Sequence, residues 1–154
     1  MKLSFLTFCC LVGIAASITC PAGYFPIDSI YLCVGSQENA GNGYYHNQNM
    51  CRAVNRKSGD LAAPYNAFRN AAFAKISLQK SGDAKAMIGV KRDDPSDENS
   101  PYLYPNGIPL TYSNWTASEP AKGTDCVAID SSGLWYGVSC NSKIPYLCQF
   151  TVQA

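Results

Sequence analysis

Charge of either sign is scarce along this chain. Twelve Lys and Arg face eleven Asp and Glu, so 154 residues carry a formal net charge of only +1. A phosphate-driven partner wants a clustered basic face, so this balance argues against a nucleic-acid ligand. No run of like charges offers a solvating tail or a membrane-binding basic strip. Histidine is almost missing as well, because His46 stands alone. Zinc sites need several histidines or close Cys-x-x-Cys pairs, and neither occurs. A serine or cysteine hydrolase would need that one imidazole oriented by an acid and set beside a nucleophile, and nothing marks either partner. A secreted phospholipase would pair histidine with aspartate on a cysteine-rich helix, whereas Asn47 follows His46. Glycosidases need two carboxylates across a cleft, and nothing distinguishes Glu119 and Asp125 from other loop acids. No enzymatic activity is expected.

Long apolar runs are absent beyond the N-terminus. There, Lys2, the run "LSFLTFCCLVGIAA" and the small residues Ala15, Ala16 and Ser17 have the three-part build of a signal peptide over residues 1–17. The run is too short to span a membrane, and no other segment offers a span. "SITC" is a poor match to the small-residue box of a lipidated cysteine. Cleavage near residue 17 removes Cys9 and Cys10 and leaves Cys20, Cys33, Cys51, Cys126, Cys140 and Cys148. An even number in an exported chain reads as three disulfides, with all of the roughly 15 possible pairings still open. The expected location is secreted and extracellular.

Internal repeats, linkers, stalks and heptads are also lacking, which argues against collagen- or helix-driven trimers and leaves the oligomeric state open. What is present is a succession of short elements. "CPAGYFPIDSIYLC" forms a hairpin-like stretch bracketed by Cys20 and Cys33. "YYHNQNMCRAVNRKSG" predicts a helix with Met50, Cys51 and Val54 inward and Gly59 at its stop. "NAFRNAAFAKIS" predicts a second, with Phe68, Ala72 and Ile76 spaced by four, Ala71 widening the stripe and Asn66 as cap. "AMIGV" reads as a buried strand, and "CVAID", "LWYGV" and "PYLCQF" as three more. Between them, residues 91–125 lose all periodicity around Pro95, Pro101, Pro105, Pro109 and Pro120. A compact domain seldom carries so long a stretch without using it. Helices early and strands late predict an α+β domain.

The pattern "LTYSNWTASEPAKGTDCVAIDSSGLWYGVSCNSKIPYLCQF" resembles the C-terminal half of the C-type lectin-like domain. Trp115 precedes a Glu-Pro loop, Cys126 opens a strand, "LW" leads to Cys140, and a final "YLCQF" ends the pattern. "MIGV" stands where that family has a Trp-Ile-Gly-Leu-like strand, and "MCRAVNRKSGDLAAP" resembles its first helix and following turn. The resemblance covers residues 20–150 as one domain. It implies the long form of the fold: two helices, short antiparallel strands, a long irregular ligand loop, and the bridges Cys20–Cys33, Cys51–Cys148 and Cys126–Cys140.

In sugar-binding members of that family a calcium ion joins the loop to sugar hydroxyls. Its ligands come from a Glu-Pro-Asn or Gln-Pro-Asp triplet, an acid before the next cysteine, and an Asn-Asp pair after the strand tryptophan. Here Glu119 and Pro120 match, but Ala121, Thr124, Tyr136 and Gly137 occupy the remaining positions. Calcium takes 6–8 oxygens, and one carboxylate cannot supply them. No cofactor is expected, and Glu119 is read as a relic of the loop. "RDDPSDEN" sets Asp93, Asp94, Asp97 and Glu98 where some members bind an accessory calcium. A solvated acidic turn, partly offset by Arg92, is the preferred reading.

The resemblance places Trp115 and Trp135 inside, under the loop. Tyr102, Tyr104, Tyr112 and Tyr136 are more open candidates, since a phenol can bury its ring and leave its oxygen at a rim. Asn114-Trp115-Thr116 is the one full glycosylation triplet. The expectation is a binding module that meets an extracellular glycan or protein through residues 91–125 and the edge strand at 134–138, without calcium. A true glycan-binding lectin, calcium-free or with a rearranged site, is the alternative, and a small secreted hydrolase a more distant one.

Overall fold

The computed structural model describes residues 17–37, 42–81 and 85–153, with no side-chain detail for 78–81. The expected signal segment therefore lies outside the described residues except for Ser17.

Strand β1 (Phe25–Ile27) turns through one 3-10 stretch (Asp28–Ile30) into β2 (Leu32–Gln37), giving the antiparallel hairpin that the cysteine-bracketed stretch predicts. The last strand, β8 (Tyr146–Thr151), pairs antiparallel with β2 over its full length, from Leu32 opposite Thr151 to Gln37 opposite Tyr146. A two-residue β3 (Asp60–Leu61) also pairs with β8. The second half of the sheet is β4 (Ala86–Arg92), β6 (Cys126–Ile129) and β7 (Trp135–Val138), with β5 (Tyr102–Leu103) added to the far end of β4. The halves meet at one parallel pairing, Met87 with Tyr146. Every residue of β6 is buried, as is every residue of β4 except Lys91, which explains their unbroken apolar runs. Gly89 is required there: a Cβ would lie 2.7 Å from the Leu61 carbonyl oxygen and 2.5 Å from Pro105.

Helix α1 (Tyr44–Val54) is docked by a different face from the one its apolar residues predict. Tyr44, Asn47, Gln48 and Cys51 are buried, whereas Met50 and Val54 are 47% and 46% exposed. The correction has a polar cause. Gln48 donates to Asp60 Oδ1 at 3.0 Å, Asn47 reaches Met87 Sδ at 3.6 Å, and Cys51 is bridged to Cys148. The helix also ends before Gly59, at Asn55, whose side chain accepts the Lys57 and Ser58 amides.

Helix α2 (Ala67–Ser81) is capped as expected, with Asn66 Oδ1 accepting the Arg69 amide at 2.9 Å. Its buried stripe is again rotated. Asn70, Phe73, Ala74, Ile76 and Ser77 are buried, Ala72 is half-buried, and Phe68 and Ala71 are exposed. Asn70 decides the phase by accepting the Trp135 indole N–H at 2.7 Å.

Three disulfides close the fold in the arrangement the resemblance implies. Cys20–Cys33 and Cys126–Cys140 span 13 and 14 residues, and Cys51–Cys148 spans 97. The last removes the most freedom from the unfolded chain in the chain-entropy account. Among the described residues no helix is long and apolar enough to cross a membrane.

Candidate functional site

The 93–125 segment leaves the sheet at Arg92 and returns at Cys126, and few of its residues belong to a strand. Polar side chains hold it instead. Arg92 ends β4 and is only 6% exposed, so its charge must be met by oxygens. Its Nε donates to Asp125 Oδ1 at 3.2 Å, Nη1 to the carbonyls of Glu98 at 2.7 Å and Ser100 at 3.2 Å, and Nη2 to the Tyr102 hydroxyl at 3.1 Å. The guanidinium also lies 4.6 Å from the Tyr102 ring centroid. The Tyr102 hydroxyl donates in turn to the Thr124 carbonyl at 2.6 Å. Burial pushes the Tyr102 phenol above its ordinary pKa, and the adjacent Arg92 opposes that rise. One buried cation thus ties both arms of the loop to the end of β4.

Glu119, Ala121, Thr124 and Gly137 are brought together, as the sequence positions suggest, but for a backbone purpose. Glu119 Oε2 accepts the Ala121 amide at 2.6 Å and the Gly137 amide at 2.9 Å. The Thr124 hydroxyl donates to the Ala121 carbonyl. A Cβ on Gly137 would overlap that hydroxyl and lie 3.0 Å from Glu119 Oε2. The space a longer residue would need at 137 is therefore already filled by Thr124.

Tyr136 turns elsewhere. Its hydroxyl donates to Asp130 Oδ2 at 2.9 Å, and Lys85 Nζ sits 3.3 Å from its ring centroid. The hydrogen bond to Asp130 holds the Tyr136 phenol above its usual pKa. Burial pushes the Asp130 carboxyl upward, yet bonds from Ser132, Tyr136 and Leu134 outweigh it and leave the group below its ordinary value.

Trp135 is fully buried and Trp115 half-buried against it, edge to face at 5.5 Å between ring centroids. Tyr102 meets Trp115 at 5.2 Å and Tyr112 meets Trp135 at 5.8 Å in the same edge-on manner. Of the four open tyrosines expected, Tyr104 departs: it is 2% exposed, packed on Tyr65 at 4.4 Å, with its hydroxyl bonded to the Tyr112 backbone. Asn114, the glycosylation candidate, is half-buried and donates Nδ2 to the Gly133 carbonyl at 2.7 Å, beside Asn70 doing the same at 2.9 Å.

The acidic stretch forms local turns. Asp94 Oδ1 accepts the Ser96 amide and hydroxyl, which lowers its pKa, and Asp97 Oδ1 accepts the Asn99 amide. Glu98 instead reaches across to Lys122 at 3.1 Å. That pair helps line a cleft of about 370 Å³, together with Arg92, Ser100, Pro101, Tyr102 and Pro120. Among the described residues no group of three or more His, Cys, Asp or Glu is arranged to hold a metal ion. His46 is exposed on α1.

Sequence reasoning gave Arg92 only a charge-offsetting role beside the acidic turn and missed Asn70 altogether. The one signal for Arg92 was its place at the end of an apolar strand. Asn70 had none beyond lying inside an apolar helix.

A family model described as the Lectin C-type domain matches residues 41–150. The chain belongs to the C-type lectin domain family. Collectin-10 of Xenopus tropicalis is 30% identical over 133 residues, covering 84% of this chain and 45% of the relative. A mannose-binding protein of Gallus gallus is 38% identical over 92 residues, covering 58% of this chain and 34% of the relative. The chain thus spans less than half the length of these curated relatives. Human lithostathine superposes with a TM-score of 0.73 at 25% identity, over 89% of this chain and 94% of that one. This C-type lectin domain is a non-enzymatic binding domain.

Proposed function

We propose that this C-type lectin domain is a secreted module that recognises an extracellular glycan or protein through its 93–125 loop and β7, without calcium. The observation that carries this reading is the engagement of Glu119. Its Oε2 receives two backbone N–H groups, from Ala121 and Gly137, which occupy that oxygen's acceptor sites with backbone donors.

The remaining positions do not fit the ion. Ala121 and Gly137 have no side-chain oxygen, the Tyr136 hydroxyl is bonded to Asp130, and Thr124 fills the space at 137. A cation that needs 6–8 oxygens has no set to replace its hydration shell. Loop order is supplied by Arg92 instead. Secretion is supported by three disulfides, which persist in oxidising compartments, and by the apolar N-terminal run. Kinship with a mannose-binding protein favours a sugar among the ligand classes.

The test is thermal unfolding in millimolar calcium and again in chelator. A ligand that binds the native form raises the midpoint, so superimposable curves are expected. A midpoint that rises with calcium, and falls back in Glu119→Gln, overturns the calcium-free reading.

A further inference from the structure

We propose that the cleft between residues 98–102 and 120–122 is the recognition pocket, and that it takes a neutral, hydroxyl-rich ring such as a pyranoside. The inference rests on the calcium-free reading above and assigns it a place lined by Pro120 and Lys122 but not by Gly137.

Shape comes first. About 370 Å³ is ample for one sugar ring, and the walls combine one aromatic residue with two rigid prolines, Tyr102 with Pro101 and Pro120. The walls are also pre-set. Arg92 is buried and bonds to the carbonyls of Glu98 and Ser100 on one side and to Asp125 on the other, while Tyr102 reaches the Thr124 carbonyl. Both arms are therefore fixed to one guanidinium before any ligand arrives, which lowers the ordering cost of binding.

Chemistry then selects the ligand class. Glu98 and Lys122 face one another across the cleft at 3.1 Å, with side chains 57% and 81% exposed. So exposed a pair contributes little to stability and can turn toward a ligand at small cost. A carboxylate only accepts and an ammonium only donates, whereas a hydroxyl does both. Adjacent sugar hydroxyls can satisfy the two together. The charges cancel, since Lys122 is balanced by Glu98 and Arg92 by Asp125. Exposed Asp93, Asp94 and Asp97 on the same arm disfavour an anion.

The experiment follows backbone amides of the labelled, disulfide-bonded domain by NMR in chelator. It is titrated in turn with methyl α-mannoside, methyl β-galactoside and N-acetylglucosamine. At least one should shift the amides of 98–102 and 121–123 saturably, with a dissociation constant on the order of 1 mM. Glu98→Ala and Lys122→Ala should each weaken it about tenfold while leaving the melting midpoint in place. Silence of every amide to all three sugars, far above millimolar, overturns the pocket. Shifts confined to 136–138 and indifferent to Lys122→Ala also overturn it, yet leave calcium-free recognition standing. Shifts that appear only when calcium is added remove both.

Discussion

The two ends of this sheet are held by different physics. Around β2, β8 and β3 the chain is fixed by a continuous backbone ladder and by Cys51–Cys148, and its side chains need only be apolar and of the right size. From residue 93 to 125 the ladder is nearly gone. Order there depends on a handful of polar groups: one guanidinium, the carboxylates of Glu119 and Asp125, one threonine hydroxyl and a few tyrosine oxygens. The first region tolerates substitution because its bonds belong to the main chain. The second can be undone by a single side chain.

Substitutions can sharpen this contrast. Replacing Cys51 and Cys148 together by Ala releases a 97-residue span, and the chain-entropy account puts the loss at about 4 to 5 kcal/mol. Denaturant unfolding should show one cooperative transition at a lower midpoint, because the ladder fails as a unit. Arg92→Met should cost about 3 kcal/mol, through Asp125 and the loop carbonyls left unpaired in a largely buried place. Its signature is local: amide exchange should quicken over 93–101 and 122–125 while β2 and β8 stay protected. Uniformly faster exchange across the sheet would erase the distinction drawn here.

Gly137→Ala should lose about 2 kcal/mol, because its methyl meets the Thr124 hydroxyl. Adding Thr124→Ala should return part of that loss, so a double-mutant cycle measures the fit directly. The smallest effect concerns pH. A carboxyl held below its ordinary value stabilises the fold above its unfolded-state pKa and loses that contribution as pH falls through its folded-state pKa. Asp130 is such a group. Wild type should therefore lose slightly more stability than Asp130→Asn on acidification through and below the usual carboxylate range, with the two curves parallel near neutrality.

Much of the sheet was legible in the sequence, because buried strands announce themselves as apolar runs. "MIGV", "CVAID" and "PYLCQF" all fall within or overlap β4, β6 and β8. Both helices were found but misphased, since each docks through amides. Hydropathy points Met50, Val54 and Phe68 inward, whereas the structure buries Asn47, Gln48 and Asn70, whose partners lie 12 to 65 residues away. Local periodicity cannot see such pairings. The loop was recognisable as a loop and its Glu-Pro turn as a family position, yet the direction of Glu119 depends on where the Gly137 amide arrives from β7. That information exists only once the sheet is formed.

The chain contains two tryptophans, and both belong to the edge-to-face pair beneath the loop. The protein thereby carries its own optical gauge. Indole emission arises where Asn70, β7 and the 93–125 loop join, and nowhere along β2 or β8. A spectral shift without a matching change in peptide circular dichroism would register loosening of that joint alone, letting the two regions be timed separately in one unlabelled sample.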